Sequence, residues 1–138
     1  VDKVVCPRDD VNIFITQSWS NKTEKGEFHH QHTHANSFIS GVFYVKTNEK
    51  KDRIHFYKSG YEQIKLETEN YNIWNSESWW FPVKDGQLML FPSSLSHDVP
   101  AVSNLRVSLS FNTFVQGEIG SETNATKLKY TKKHLFPL

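Results

Sequence analysis

The chain has 138 residues, 37% of them hydrophobic and 14% aromatic, and a formal net charge of +1. This length points to one domain over 1–138 with a core rich in Phe, Trp and Tyr, and the near-neutral balance gives no electrostatic basis for binding nucleic acid or a membrane surface. The one cysteine, Cys6, excludes an internal disulfide and suits a reducing, cytoplasmic setting, and no apolar run is long enough to span a bilayer.

The start, Val1-Asp2-Lys3-Val4-Val5, is too short and too charged for a signal peptide. Glycosylation patterns at Asn21 and Asn124 are read as chance, because nothing else suggests secretion. Residues 11–19 are β-branched and aromatic and read as a strand. Residues 20–26 are polar, end in Gly26 and read as a turn. A strand region begins at 29–36, and 37–46 is a strand. Residues 47–52 form a charged turn, and 53–57 a short strand whose His55 is expected to be structural. Residues 59–84 carry Tyr71, Trp74, Trp79 and Trp80 without a clear period. They read as a long excursion with one strand, a lid or wall of a pocket, with Trp79 and Trp80 expected in the core or, if exposed, suited to sugar stacking or a protein interface. Asp85-Gly86 is a turn, 87–91 a strand, Pro92-Ser93-Ser94 a turn and 95–102 a short strand around His97. A long strand follows at 106–114. The tail from Gly117 is polar, with a last apolar patch at 135–138. No stretch holds a helical period over a dozen residues. Short strands separated by turn signals predict an all-β jelly roll with its core over about 11–116 and a C-terminal extension over 117–138.

The chemistry concentrates in His29-His30-Gln31-His32-Thr33-His34, which holds four of the seven histidines. On an extended strand, side chains two apart share a face, so His30, His32 and His34 are expected in one row. Neutral imidazole is the commonest metal ligand. The plain alternative is a solvated polar loop. His97, carried to a sheet end by a Pro-bearing turn, is the natural third ligand beside His32 and His34. In Arg106-Val107-Ser108-Leu109-Ser110-Phe111-Asn112 every second residue is polar. That face either meets solvent or lines a cavity, where an arginine clamps a carboxylate through paired hydrogen bonds. With regular alternation from His34, residues Asn36, Phe38, Ser40, Val42 and Tyr44 share the histidine face; a bulge near Gly41 reverses this.

The ordered set His-x-His, Ser-Gly-Val-Phe-Tyr-Val, Gly-x-Leu-x-Leu-Phe-Pro-Ser-x-x-x-His and Arg-x-Ser-x-Ser-Phe-Asn, preceded by Gln17-Ser18-Trp19, resembles the small Fe(II)/2-oxoglutarate-dependent oxygenases of marine bacteria and their phages. The resemblance covers roughly 14–120. It implies a double-stranded β-helix, with iron held by His32, His34 and His97. It implies 2-oxoglutarate chelating the metal, its far carboxylate on Arg106 with help from Ser108 and Tyr44, and O2 as oxidant. The reaction implied is decarboxylation to succinate and CO2 coupled to hydroxylation of a C–H bond. The substrate, a small molecule or a side chain, is not indicated.

The chain departs from the superfamily at one position. The usual set is two histidines and a carboxylate, and His34 stands where the carboxylate is expected. Three neutral imidazoles also suit zinc or nickel, and His30 with His32 is a second available pair. Asp98 is expected to point away from His97. Two rivals share the fold. A cupin binds metal and ignores 2-oxoglutarate; its halves resemble Gly26-x5-His32-x-His34 and Gly86-x5-Pro92-x4-His97, yet its glutamate is absent and it has no use for Arg106. A non-enzymatic jelly-roll binding or structural module needs no metal at all. Edge strands allow such folds to pair as homodimers.

Overall fold

The computed structural model describes residues 3–60, 64 and 67–131. The apolar patch expected at 135–138, the first two residues of the chain and part of the 59–84 excursion lie outside them. Among the described residues there are strands and no helix: β1 (Asn12–Thr23), β2 (His29–His32), β3 (Ile39–Lys46), β4 (Arg53–Tyr57), β5 (Ser78–Pro82), β6 (Leu88–Pro92), β7 (Ser96–Val99), β8 (Arg106–Ile119) and β9 (Leu128–Tyr130). All pairings are antiparallel. One sheet has the order β1-β8-β3-β6, with β9 added to β8; the other is β2-β7-β4-β5. The two sheets face each other as a jelly roll, and among the described residues no helix is long and apolar enough to cross a membrane.

Between the sheets lie Val42, Tyr44, Ile54, Val83 and Phe91, with Phe56, Phe81, Met89 and Leu95 packed against them. Phe56 of β4 meets Phe91 of β6 edge to face at 5.0 Å, so aromatic packing joins the layers. This core fills the β5/β6 side. The opposite side, between β1-β8 and β2-β7, is lined by polar groups.

Several strand limits differ from the sequence reading, each for a pairing reason. The expected turn at 20–26 is strand as far as Thr23, because Asn21 pairs with Ser108 and Thr23 with Arg106. Its polar residues face a polar interior rather than solvent. The strand region at 29–36 stops at His32, and Asn36 adopts a left-handed φ of 54°. Tyr44, Val42 and Ser40 do share the inner face, at 0%, 7% and 2% exposure, while Phe38 is 43% exposed. The alternation thus holds within β3 and fails before it. The polar tail is not all extension: β8 continues to Ile119, and β9 returns along it. Trp80 is not core. It is 49% exposed with the Arg53 guanidinium 4.8 Å over its ring.

Candidate metal centre

β2 and β7 carry the histidines. His29 pairs with Val99 and His32 with His97, so three steps on β2 match two on β7. The extra residue is a β-bulge. It turns both His29 and His32 toward β8, and His30 outward. The expected row of His30, His32 and His34 is therefore corrected. His30 is exposed, stacks edge-on against Phe28 at 4.9 Å and stands outside the cluster.

Beyond β2 the chain bends, and the His34 N–H donates to Ser93 O at 2.9 Å, which ties this residue to the turn before β7. His32, His34 and His97 then converge: their potential ligand nitrogens all lie within 4.8 Å of one another. Ring centroids are 4.9 Å apart for 32/34, 4.4 Å for 32/97 and 5.2 Å for 34/97. An ion bonded to each at about 2.1 Å needs nitrogen separations below about 4.2 Å.

The protonation of these rings suits a cation. Burial pushes His97 down to about 4 and lowers His34 as well, so both are neutral near pH 7 and available as ligands. His32 Nδ1 lies 2.6 Å from His30 O, and His97 Nδ1 lies 3.0 Å from Leu95 O. A carbonyl only accepts, so each Nδ1 carries the proton. Each Nε2 is left with its lone pair toward the cluster, the arrangement ligating histidines use.

The floor of the same cavity is β8. Arg106 and Ser108 are each 3% exposed, whereas Leu109 between them and Asn112 is 48% exposed. The polar face of this strand is inside and an apolar residue is outside, the reverse of an ordinary amphipathic strand. Arg106 stacks on the Tyr44 ring at 4.9 Å. Its hydrogen bond among the described residues is a long one, 3.4 Å to Arg53 O, and no carboxylate forms an ion pair with it there. The Tyr44 hydroxyl is buried without a hydrogen-bond partner among the described residues, and burial pushes it up to about 12. A buried guanidinium beside a buried, unpartnered phenol is a costly pair unless an anion joins them.

The cavity that these groups line also takes in Trp19, Asn21, His29, Val42, Ile54, Phe91, Val99 and Ser110. His29, which sequence reading did not single out, is held down by burial and by Arg106, and its Nε2 is 3.3 Å from Thr23 Oγ1. Its signal was the histidine run itself, but the bulge that brings it inward has no mark in the sequence. Asp98 points to the other side of β7, as expected: it accepts from the Tyr57 hydroxyl at 2.5 Å and lies 3.3 Å from His55 Nδ1.

A family model described as "Putative 2OG-Fe(II) oxygenase" matches residues 17–112. No curated protein matches the chain. Among solved structures, a crystal structure of an oxidoreductase of the 2OG-Fe(II) oxygenase family from Burkholderia pseudomallei is similar, with a TM-score of 0.60 and 17% sequence identity. The match covers 77% of this chain and 47% of that one, so this chain spans about half its length. At that identity the likeness carries the fold alone.

Proposed function

The chain belongs to the 2OG-Fe(II) oxygenase family, and from that premise we propose that it is an Fe(II)- and 2-oxoglutarate-dependent dioxygenase, with His32, His34 and His97 as metal ligands and Arg106, Ser108 and Tyr44 as the diacid anchor. The observation that carries this reading is the pairing of features in one cavity. Three imidazoles converge at its mouth, and a buried arginine without an ion-pair partner among the described residues lies at its floor. Bound iron(II), 2-oxoglutarate and O2 supply decarboxylation of the keto acid to succinate and CO2, coupled to hydroxylation of a C–H bond.

The protein's part is binding, orientation and exclusion of water. The Nε2 atoms of His32, His34 and His97 would hold the ion. Arg106 offers its guanidinium fork to the far carboxylate, and the Tyr44 hydroxyl donates to the same group. Ser108, next on the inner face of β8, adds a third donor. Val42, Ile54, Phe91 and Val99 form apolar walls between the two ends. In that low-dielectric space the charge pairing is strong.

Three imidazoles would bring no negative charge to the ion they hold, and the charged group that these six residues supply is the Arg106 guanidinium. A cupin that ignores diacids has no use for the desolvated Arg106. The deciding experiment is anaerobic titration of the protein with iron(II) and 2-oxoglutarate. A weak visible charge-transfer band that needs both components is expected. Saturating both without the band would end this reading.

A further inference from the structure

Asp52 is 3% exposed, as deeply buried as Arg106, and among the described residues no other carboxylate is buried to that degree. It stands two residues before Ile54, on the inward face of the chain leading into β4, where Ile54 and Phe56 pack in the core. The next residue makes the contact with the anchor: Arg106 Nη1 donates to Arg53 O at 3.4 Å. Tyr44, Ile54 and Arg106 line the cavity. Asp52 lies one layer back, and its Oδ1 is buried without a hydrogen-bond partner among the described residues.

The other carboxylate oxygen has a structural task. Oδ2 accepts from the Asn48 N–H at 2.9 Å, and the Asp52 N–H donates to Asn48 O at 2.8 Å, which closes the turn between β3 and β4. That task needs an acceptor rather than a charge, and Asn or Ser would supply one. Burying an ion short of partners costs far more than burying a hydrogen-bonded amide. Arg53 is engaged elsewhere: its Nη1 and Nη2 donate to Asp52 O and Lys50 O at 2.8 and 3.0 Å, and its guanidinium lies over Trp80. The charge itself is what needs a reason. In a low-dielectric interior a charge acts over several ångströms, and the groups that feel this one are those of the anchor. Burial lowers the Arg106 pKa, and Tyr44 and Asp52 oppose that. Burial raises Tyr44, and Asp52 raises it further against the pull of Arg106.

We propose that Asp52 sets how much negative charge the closed end of the cavity accepts, and so makes the site specific for a ligand whose far head carries a single charge. Arg106 and Asp52 sum to zero before a ligand enters. A carboxylate head brings one negative charge to the guanidinium and is held. A phosphonate head offers similar oxygens but brings two charges. The second meets the Asp52 carboxylate, with no lysine or further arginine among the lining residues to offset it. This rests on the reading of Arg106 as the diacid anchor and adds to it the class of head group that the anchor takes.

The test is calorimetric titration of the nickel(II)-loaded full chain with 2-oxoglutarate and with 2-oxo-4-phosphonobutyrate, which carries a phosphonate in place of the far carboxylate. It is run at about pH 8.5, where the phosphonate is doubly charged. The parent is expected to bind the phosphonate at least about tenfold more weakly than 2-oxoglutarate. Asp52→Asn keeps an acceptor for the Asn48 N–H and removes the charge. It is expected to bind 2-oxoglutarate at least as tightly as the parent and to gain more for the phosphonate, so that the ratio of the two affinities falls by about tenfold. A role in the turn alone would leave that ratio where it was. If Asp52→Asn does not fold, Asp52→Ser serves instead, with the same change of ratio expected. A parent that binds both heads equally overturns the proposal. So does a folded Asp52→Asn or Asp52→Ser with the parental ratio. If Arg106→Met binds 2-oxoglutarate as tightly as the parent, the anchor reading itself fails, and Asp52 has no head group to select.

Discussion

Arg106, the proposed diacid anchor, is placed unlike a residue that only stabilises. Its guanidinium is 3% exposed, and burial lowers its pKa against a weaker attraction from Tyr44 and Asp52. A buried charge short of partners costs the fold free energy, and replacing even a buried ion pair by apolar side chains of similar volume is often neutral or stabilising by about 1–4 kcal/mol. Arg106→Met is therefore expected to leave the melting temperature of the ligand-free protein unchanged or raised. The same variant should lose 2-oxoglutarate affinity by about 100-fold or more, with metal still bound, since a removed charged partner typically costs about 2–5 kcal/mol. Calorimetric titration beside a thermal melt reads both. A melting temperature lowered by many degrees would mark the arginine as structural. His97 gives a pH signature. It is neutral in the fold down to about pH 4, whereas an unfolded chain takes up the proton near 6.5. Between those values the unfolded state binds the extra proton, so stability of the metal-free protein falls on acidification through that window, by about 3 kcal/mol at most, and is unaffected by His97 above it. Burial lowers His29 and His34 in the same direction. Denaturant melts at pH 7 and pH 5 on chelator-treated protein should show the loss, and His97→Asn should reduce it.

At the scale of the element, β8 carries most of the information. Its alternation permitted two orientations, and the cavity takes the polar one: Arg106 and Ser108 are inside and Leu109 outside. Substitutions on its two faces should separate accordingly. Leu109→Lys faces solvent and is expected to change stability by no more than about 0.5 kcal/mol. Ser108→Val places a branched side chain beside the guanidinium, and is expected to weaken 2-oxoglutarate binding at least tenfold with the fold retained. Binding isotherms of the two variants that proved equal would mean that this face does not line the diacid site. The periods of the longer strands were legible in the chain because they follow from local alternation, whereas the grouping of His32 and His34 with a distant His97 came from the ordered motif set, since His34 lies beyond β2. What was not legible arises between strands. The bulge in β2, which exchanges His30 for His29, is a matter of register with β7. Strand structure through Asn21 and Thr23 depends on β8 offering polar partners to residues that look like a turn. Trp80, expected in the core, is turned outward by its place on β5, under Arg53.

For the whole molecule the proposed site implies coupling between two ligands. Among the described residues one end of the cavity carries imidazoles without a carboxylate, and the other carries the Arg106 cation. A metal ion alone therefore enters a site without compensating charge, and a diacid alone meets Arg106 without a chelating partner. Each is expected to bind weakly without the other, and by thermodynamic reciprocity each must raise the other's affinity by the same factor. A ligand present at 100 times its dissociation constant stabilises the fold by about 2.7 kcal/mol, which for a domain of this size moves the melting temperature by several degrees. Melts with iron(II) or nickel(II), with 2-oxoglutarate, and with both together should give a joint shift larger than the sum of the separate ones. Arg106→Ala should keep the metal shift and erase the excess. His97→Ala should erase the metal shift and leave the diacid little to act on. Purely additive shifts in the parent would mean that the two ends of the cavity do not share one ligand, and that the arginine and the imidazole cluster serve separate purposes.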